Sequence, residues 1–368
     1  MNDRTSRVVF SALLFVLTLI AYLTPYYDWD LVAYVGSAIA LHEYDSRAIQ
    51  HEAYSALERE LSQEDYTDIA SGSDFRREVA QNPDSFRQQL RFYQIRPLYI
   101  WLLAALHAAG LGFVAATRVI SAAAFLLIGA VLFFFMCRYV KDSHATIAVL
   151  LLLITPVLFT SARTGSPDAI SALVVLTGTF AIVERDHLLF GAALLLLSLA
   201  LRTDNIIFAL LLFASVALVK TSSKARVITA CAAVLAVAVV LTINRTQHSY
   251  PWSVLLRNTE SPIVNPAENS SATSIVDYFS AMHDMIDEAR ENSVTVFPLI
   301  AALCLLSFKT SAHLKRLVKV VLLSWLAHIL IFPHIEDRYF IAGAAIIGVA
   351  AVTAVLSRNQ TEKLPVAT

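Results

Sequence analysis

"RPLYIWLLAALHAAGLGFV", residues 96–114, is the stretch whose reading decides the fold. It is apolar, but its apolar part is short, His107 interrupts it, and Gly110 and Gly112 close it. Crossing ~30 Å of hydrocarbon takes about 20 mostly apolar residues. Ten other runs approach that length: 8–25, 118–138, 145–162, 168–184, 187–201, 204–220, 226–243, 294–308, 316–333 and 339–357. Loop charge then orients them. "RYVKDSH" (138–144), "KTSSKAR" (220–226), "FKTSAHLKRLVK" (308–319) and the tail "SRNQTEK" (357–363) hold most loop lysines and arginines. "RTGSPD" (163–168), "LRTDN" (201–205), residues 244–293 and "PHIEDRY" (333–339) hold no lysine. The positive-inside rule places the first set, with Arg4 and Arg7, in the cytoplasm. Between Arg7 and Arg138 only two crossings then fit, and 8–25 and 118–138 supply both. Residues 97–114 are therefore predicted to form an in-plane or re-entrant juxtamembrane helix.

Composition agrees with that class. Of 368 residues 57% are hydrophobic and 15% charged, and the mean hydropathy is +0.63, against about 45–50% apolar and about 25% charged in water-soluble domains. The fold class predicted is an all-α polytopic membrane protein of about ten transmembrane helices, with juxtamembrane helices in a large first outer loop. Its parts are an N-terminal transmembrane anchor (1–27), the outer loop (28–117), transmembrane helices (118–243), a second outer loop (244–293) and C-terminal helices (294–368). The first run exceeds a signal-peptide core and no small-x-small cleavage site follows it, so it is read as retained. A net charge of -1 gives no reason to expect nucleic acid. Cys137, Cys231 and Cys304 sit in or beside apolar runs without metal or redox spacing and read as packing residues. In 244–293, Ile275, Tyr278, Phe279, Met282 and Ile286 recur at helical spacing, which suits a membrane-surface, partner or loop-packing face.

The same topology gathers Asp28, Asp30, Arg96, Arg163, Asp168, Arg202, Asp204, Glu336, Asp337 and Arg338 on the outer rim. Ionisable groups beside hydrocarbon are costly and mark function. Five segments in this order resemble the GT-C superfamily of membrane glycosyltransferases, nearest the protein mannosyltransferase and aminoarabinose transferase group. "DWDLVAY" (28–34) holds an aspartate four residues before an aromatic, best met by Asp30 and Tyr34, with Asp28 second. "RPLYIWLLAALHAAGLGF" is similar to the family's lysine-proline-proline segment, with Arg96 for the lysine and Leu98 for the second proline. The segment 138–170 is similar to a basic inner loop, a helix with a late proline and an outer aspartate, here Asp168. Arg202 stands where relatives often carry lysine, and Arg338-Tyr339 matches an arginine-tyrosine near the last helices.

The resemblance implies an inverting transfer of a sugar from a polyprenyl-phosphate donor to a glycan, lipid or protein hydroxyl. The setting implied is the outer, periplasmic face of a bacterial inner membrane, with the bilayer as a partner. Phosphate leaves without a general acid, so one carboxylate base suffices, worth about 10²–10⁴-fold; the developing charge needs fixed cations, best bidentate arginine. Asp30, then Asp28, is expected as the base and Asp168 as the group orienting sugar or acceptor. Arg96, Arg202 and Arg338 are expected to hold the phosphate, with Arg163, Asp204, Tyr339 and Tyr34 in the binding set. No cofactor is called for; the adjacent Glu336 and Asp337 are a weak metal signal.

Each residue also has a structural reading. Asp30 suits a helix N-cap, Asp168 a helix start where the dipole favours it, and Arg202 a turn pair with Asp204. Arg163 and Arg338 suit lipid headgroups, His107 suits packing, and the aromatics at 26, 27, 29, 99, 101, 250 and 252 suit an interfacial belt. A transporter or flippase is the alternative function, although such proteins carry mid-membrane charge and related halves, and a non-catalytic partner of a larger complex is a third.

Overall fold

The computed structural model describes residues 3–184, 187–219, 222–268, 274–307 and 310–356. Lys220, Thr221, residues 269–273, Phe308, Lys309 and the basic tail 357–363 lie outside the described residues. The fold is all-α: 19 α-helices and two short 3-10 turns, with a single isolated parallel bridge, Tyr26 to Thr164, among the described residues.

The first long helix, α1 (Asp3–Leu23), leads into a compact polar-capped layer. This layer holds α2 (Asp30–Ile39), α3 (Ser46–Glu60), α4 (Gln63–Ser71), α5 (Asp74–Gln81), α6 (Pro83–Gln94) and α7 (Pro97–Ala108). The starts of α3 to α6 are written in the sequence. Asp45, Ser62, Ser73 and Asn82 each accept a backbone N–H of the first turn, and Pro83 opens α6 where its missing N–H costs nothing. Their inward residues close a core around Tyr34, Phe86, Leu90 and Tyr99. Gly36 is required there, because a Cβ at that position would lie 2.7 Å from the Phe86 ring.

The second body comprises α8 (Phe113–Met136), α9 (Asp142–Leu153), α10 (Pro156–Arg163), α11 (Asp168–Glu184), α12 (Leu188–Leu199), α13 (Asn205–Val219) and α14 (Ser223–Thr246). It continues through α15 (Trp252–Glu260), α16 (Ile275–Glu291), α17 (Phe297–Leu306), α18 (Ala312–Ile331) and α19 (Ile341–Leu356). A second core runs through α1, α8 to α14 and α17 to α19, centred on residues such as Phe125, Leu153, Leu176 and Val321. Helices α11 and α12 touch backbone to backbone at Gly178 and Gly191, where a Cβ on Gly191 would lie 2.5 Å from the Gly178 carbonyl oxygen. The α15–α16 unit is tied to the end of α18. The Trp252 indole donates to the Ile331 carbonyl and the Tyr278 hydroxyl to the Leu330 carbonyl, both at 2.7 Å, satisfying acceptors that a helix C-terminus leaves open.

These helices correct the predicted class. Among the described residues only α1, α8 and α14 are long and apolar enough to cross a membrane, or five spans at most if each bent pair counts as one. Those pairs are α9 with α10, bent by 67° where Pro156 interrupts the run, and α16 with the turn and helix after it, bent by 87°. Six other apolar helices have 10–17 residues, which at 1.5 Å per residue is roughly 15–26 Å and short of ~30 Å of hydrocarbon. Helix α18 carries Lys315, Arg316 and Lys319 in its first half. The polytopic fold of about ten transmembrane helices, and the GT-C-like architecture with it, are therefore corrected. The multi-pass placement in a bacterial inner membrane with an outward-facing site is corrected too, since it rested on the alternation of those spans. Residues 97–108 form a 12-residue helix whose Tyr99, Ile100 and Leu103 pack into the first core. Gly110, at φ 100°, ends it, and His107 bonds the Leu111 carbonyl and stacks on Phe113.

Where the two bodies join, Glu60 caps α8 in place of a local residue. Its carboxylate accepts the N–H groups of Phe113, Val114 and Ala115 at 2.8, 3.1 and 3.3 Å. Glu60→Ala is expected to lower unfolding free energy by about 1–2 kcal/mol, as lost N-caps do. Chemical denaturation checks this, and Glu60→Gln should recover part of the loss.

Candidate functional site

The charged residues singled out from sequence converge where the turn before α2, the start of α7, the start of α11, the α12–α13 turn and the segment 333–340 meet. Arg202, on the α12–α13 turn, is the most buried arginine among them. Its guanidinium donates to Asp168 through Nη1 and grips Asp204 with two bonds, Nε to Oδ1 at 3.1 Å and Nη2 to Oδ2 at 2.9 Å. The side chains of Arg202 and Asp168 are 6% and 4% exposed. A charge that far from water is tolerated only when paired and hydrogen-bonded, and two carboxylates meet that requirement. Ser166 completes Asp168 with a hydroxyl bond of 2.6 Å. Asp204 is held down to about 2; burial opposes this and the Arg202 guanidinium overcomes it.

Arg338 forms the second paired cation. It donates to Asp30 through Nη1 and to Glu336 through Nε. Asp30 is the first residue of α2, but its side chain does not cap that helix: the N-cap position is Trp29, and Asp30 instead accepts the Tyr93 hydroxyl at 2.6 Å and Arg338. The Tyr339 ring lies between the two cations, 4.7 Å from Arg202 and 5.4 Å from Arg338, and burial pushes its phenol up to about 12.

Glu336 and Asp337 diverge. Glu336 turns to His334 and Arg338, whereas Asp337 accepts the Ser293 hydroxyl and the Val294 N–H at 2.5 and 2.8 Å. Among the described residues no group of three or more His, Cys, Asp or Glu is placed to hold a metal ion. His334 reaches the other way and bonds Glu288 of α16 at 2.7 Å. Glu288, Asn292, the Ser293 hydroxyl and the Val294 N–H thus clasp the segment 334–337.

Two charged groups here have no ion-pair partner among the described residues. Arg96 is half-buried, its guanidinium 5.5 Å from the Tyr34 ring and 5.6 Å from the Tyr93 ring. Its hydrogen bond is a long 3.4 Å contact to the Phe92 carbonyl, and no carboxylate among the described residues pairs with it. Asp28 is half-buried too, and its carboxylate has no hydrogen-bond or ion-pair partner among the described residues. Burial first, and then the charge of Asp30, push it up to about 7, against the pull of Arg338. Both Asp28 and Arg96 act electrostatically on the buried Tyr99 hydroxyl, which itself donates to the Gly165 carbonyl at 2.9 Å.

Arg163 alone of the residues expected here stands apart. It donates to the Thr24 carbonyl at 2.5 Å, and its own carbonyl accepts the Tyr26 N–H at 3.0 Å, pinning the end of α1 to α10. Sequence reading missed Tyr93, His334 and Glu288. Tyr93 lies three residues before Arg96 in an otherwise ordinary polar helix, and Glu288 is one of several acidic residues on α16. No local signal separates either from its neighbours.

Comparison of the chain with protein-family models, with curated proteins and with solved structures finds no match in any of the three. The GT-C resemblance therefore gains nothing from that side, and the helix inventory removes its frame. Glycosyl transfer of the inverting, lipid-donor type is corrected accordingly. So are the polyprenyl-phosphate sugar donor, its glycan, lipid or protein acceptor and the bilayer as partners. The transporter or flippase alternative falls with them, because it too needed many spans.

Removing Arg202 leaves Asp168 buried and uncompensated, so Arg202→Ala should cost about 3–5 kcal/mol of stability in chemical unfolding. The pH dependence has a definite sign. A carboxyl raised on folding binds its proton more tightly in the native state, so Asp28 makes stability fall as pH rises from about 4 towards 7. His334, raised by Glu336 and Glu288 against its burial, contributes stability that is complete below about 6.5 and lost as pH rises further. Asp204 and Glu336, both held at about 2, contribute stability present above about 4 and lost as pH falls towards 2. Unfolding titrations should show a maximum on the acid side of neutrality, and Asp28→Asn should flatten its alkaline flank.

Proposed function

We propose that the cluster is a ligand site for a small, singly charged oxyanion that carries a hydroxyl group, such as a hydroxy-carboxylate or a phosphodiester. Arg96 holds the anion and Asp28 accepts the hydroxyl proton. The observation that carries this reading is the contrast among the three arginines. Arg202 and Arg338 each have two carboxylates, whereas Arg96 has two aromatic rings and no counter-charge among the described residues. An uncompensated guanidinium in a desolvated setting favours a carboxylate or phosphate oxygen, which it binds through two parallel bonds.

The neighbouring charges set the ligand's charge. Asp30, Asp168, Asp204 and Glu336 already outnumber Arg202 and Arg338, so the paired arginines have no charge to spare for a dianion, while a monoanion is matched by Arg96 alone. Asp28 supplies the complementary acceptor. A carboxyl raised to about 7 exchanges its proton near neutral pH, where acid–base groups work best. In this reading Asp30 and Asp168 hold Arg338 and Arg202 in place, Tyr339 spaces those two guanidinium groups, and Tyr34 forms one wall of the Arg96 slot.

Calorimetric titration of the full chain with glycerate tests the reading. Saturable binding is expected, weakened by about 10–100-fold in Arg96→Gln, the equivalent of roughly 1.4–2.8 kcal/mol. Its pH profile should inflect near 7 and lose that inflection in Asp28→Asn. Undiminished binding by Arg96→Gln would remove the assignment.

A further inference from the structure

A second orphaned cation lies outside this cluster, on the flank of α6 that faces α15. Arg87 and Arg91 are one helical turn apart, so their side chains project from the same face. The Nη1 atom of Arg87 is buried without a hydrogen-bond partner. No carboxylate among the described residues forms an ion pair with Arg87 or Arg91. Asp84, the nearest acidic residue on the helix, is exposed and pairs with neither. Burial and the charge of Arg91 both lower the affinity of Arg87 for its proton, so the pair is held together against repulsion.

The surroundings are fixed rather than loose. Tyr250 is 8% exposed and packs on Phe92 and Val254, and its hydroxyl donates to the Gln88 carbonyl at 3.1 Å. The Arg91 guanidinium lies over that ring, 5.6 Å from its centre. Gln88 accepts the Ala267 N–H at 2.9 Å through Oε1, and Ser85 donates to Asn265 at 2.6 Å. These bonds bring the chain after α15 back onto α6. Two like charges one turn apart destabilise a helix, and a guanidinium nitrogen buried without a hydrogen-bond partner adds a further cost. An anion between them relieves both penalties.

We propose that Arg87 and Arg91, backed by Tyr250, form a binding site for a doubly charged phosphate group. Two guanidinium groups on one helix face, Arg87 half-buried and Arg91 exposed, with no carboxylate paired to either among the described residues, suit a dianion, which three or four charge-assisted N–H···O bonds can hold. This separates the site from the Arg96 cluster, where surrounding carboxylates favour a single charge. The phosphate can belong to free phosphate or to the monoester headgroup of a lipid such as phosphatidate, since both present the same dianion.

Two probes on the full chain test this and distinguish those sources. Inorganic phosphate is titrated calorimetrically in chloride buffer, and vesicles of phosphatidylcholine with and without phosphatidate are tested by co-sedimentation. For free phosphate, saturable heat is expected that Arg87→Gln and Arg91→Gln each weaken by about tenfold and the double variant abolishes. For a headgroup, phosphate gives no heat, and phosphatidate-dependent sedimentation is lost in the double variant. Arg87→Lys and Arg91→Lys keep the charge but not the fork and should bind with intermediate strength, which separates lost recognition from lost folding. Wild-type chain that binds neither probe, or a folded double variant that binds as wild type does, overturns the proposal.

Discussion

Everything around the cluster depends on keeping the Arg202 guanidinium out of water. A buried arginine stays charged whatever its surroundings, so the fold has to bring acceptors to it. Asp168 comes from the start of α11 and Asp204 from the start of α13, so one cation fixes the relative placement of those helices and the turn between α12 and α13. The consequences spread outward. Tyr339 packs its face on Arg202, which places Arg338, and Arg338 in turn reaches Asp30 at the start of α2. Tyr93 then donates to Asp30, and its ring helps to frame Arg96. The unpaired groups are therefore held in position by the paired ones.

The chain shows how far run length and loop charge carry a membrane reading. Hydropathy measures how apolar a stretch is, but it does not say whether that stretch meets lipid or another helix. Helices α11 and α12 illustrate this. Their two glycines let the backbones come into contact, so apolar faces that sequence assigns to hydrocarbon are covered by protein. Length misleads in a similar way. The run 145–162 counts as one span until Pro156 is seen to bend it by 67°, and 187–201 shrinks to the 12 residues of α12 once its ends turn.

The site was legible to a different degree. Sequence could nominate Asp28, Asp30, Arg96, Asp168, Arg202, Asp204 and Arg338 because charged residues are scarce in this chain and cluster at run ends. Their pairing was not legible. Arg202 with Asp204 follows from a two-residue spacing, but Asp30 with Arg338 and Arg202 with Asp168 depend on how distant helices cross. Nor could sequence tell a neutralised arginine from a free one, and the functional argument turns on that difference. Arg163 shows the limit most plainly, since the same kind of position as its neighbours leads it to a backbone carbonyl instead.

The ion pair between Asp30 and Arg338 joins positions 308 residues apart. Chains are made from the N-terminus, and their early parts fold first. The buried residues of the core around Tyr34 and Phe86 come from the first third of the chain apart from Leu201, and Ile170, Val174 and Val264 only pack against its edge, so most of it can consolidate while ribosomal synthesis continues. Asp30 must then wait beside that core for a cation encoded 308 residues later. Until Arg338 emerges, the nascent protein carries an open carboxylate with Tyr93 as its one neutral partner. Completion of the cluster thus waits on Arg338, and truncation before that residue would leave the first layer around an unfinished site.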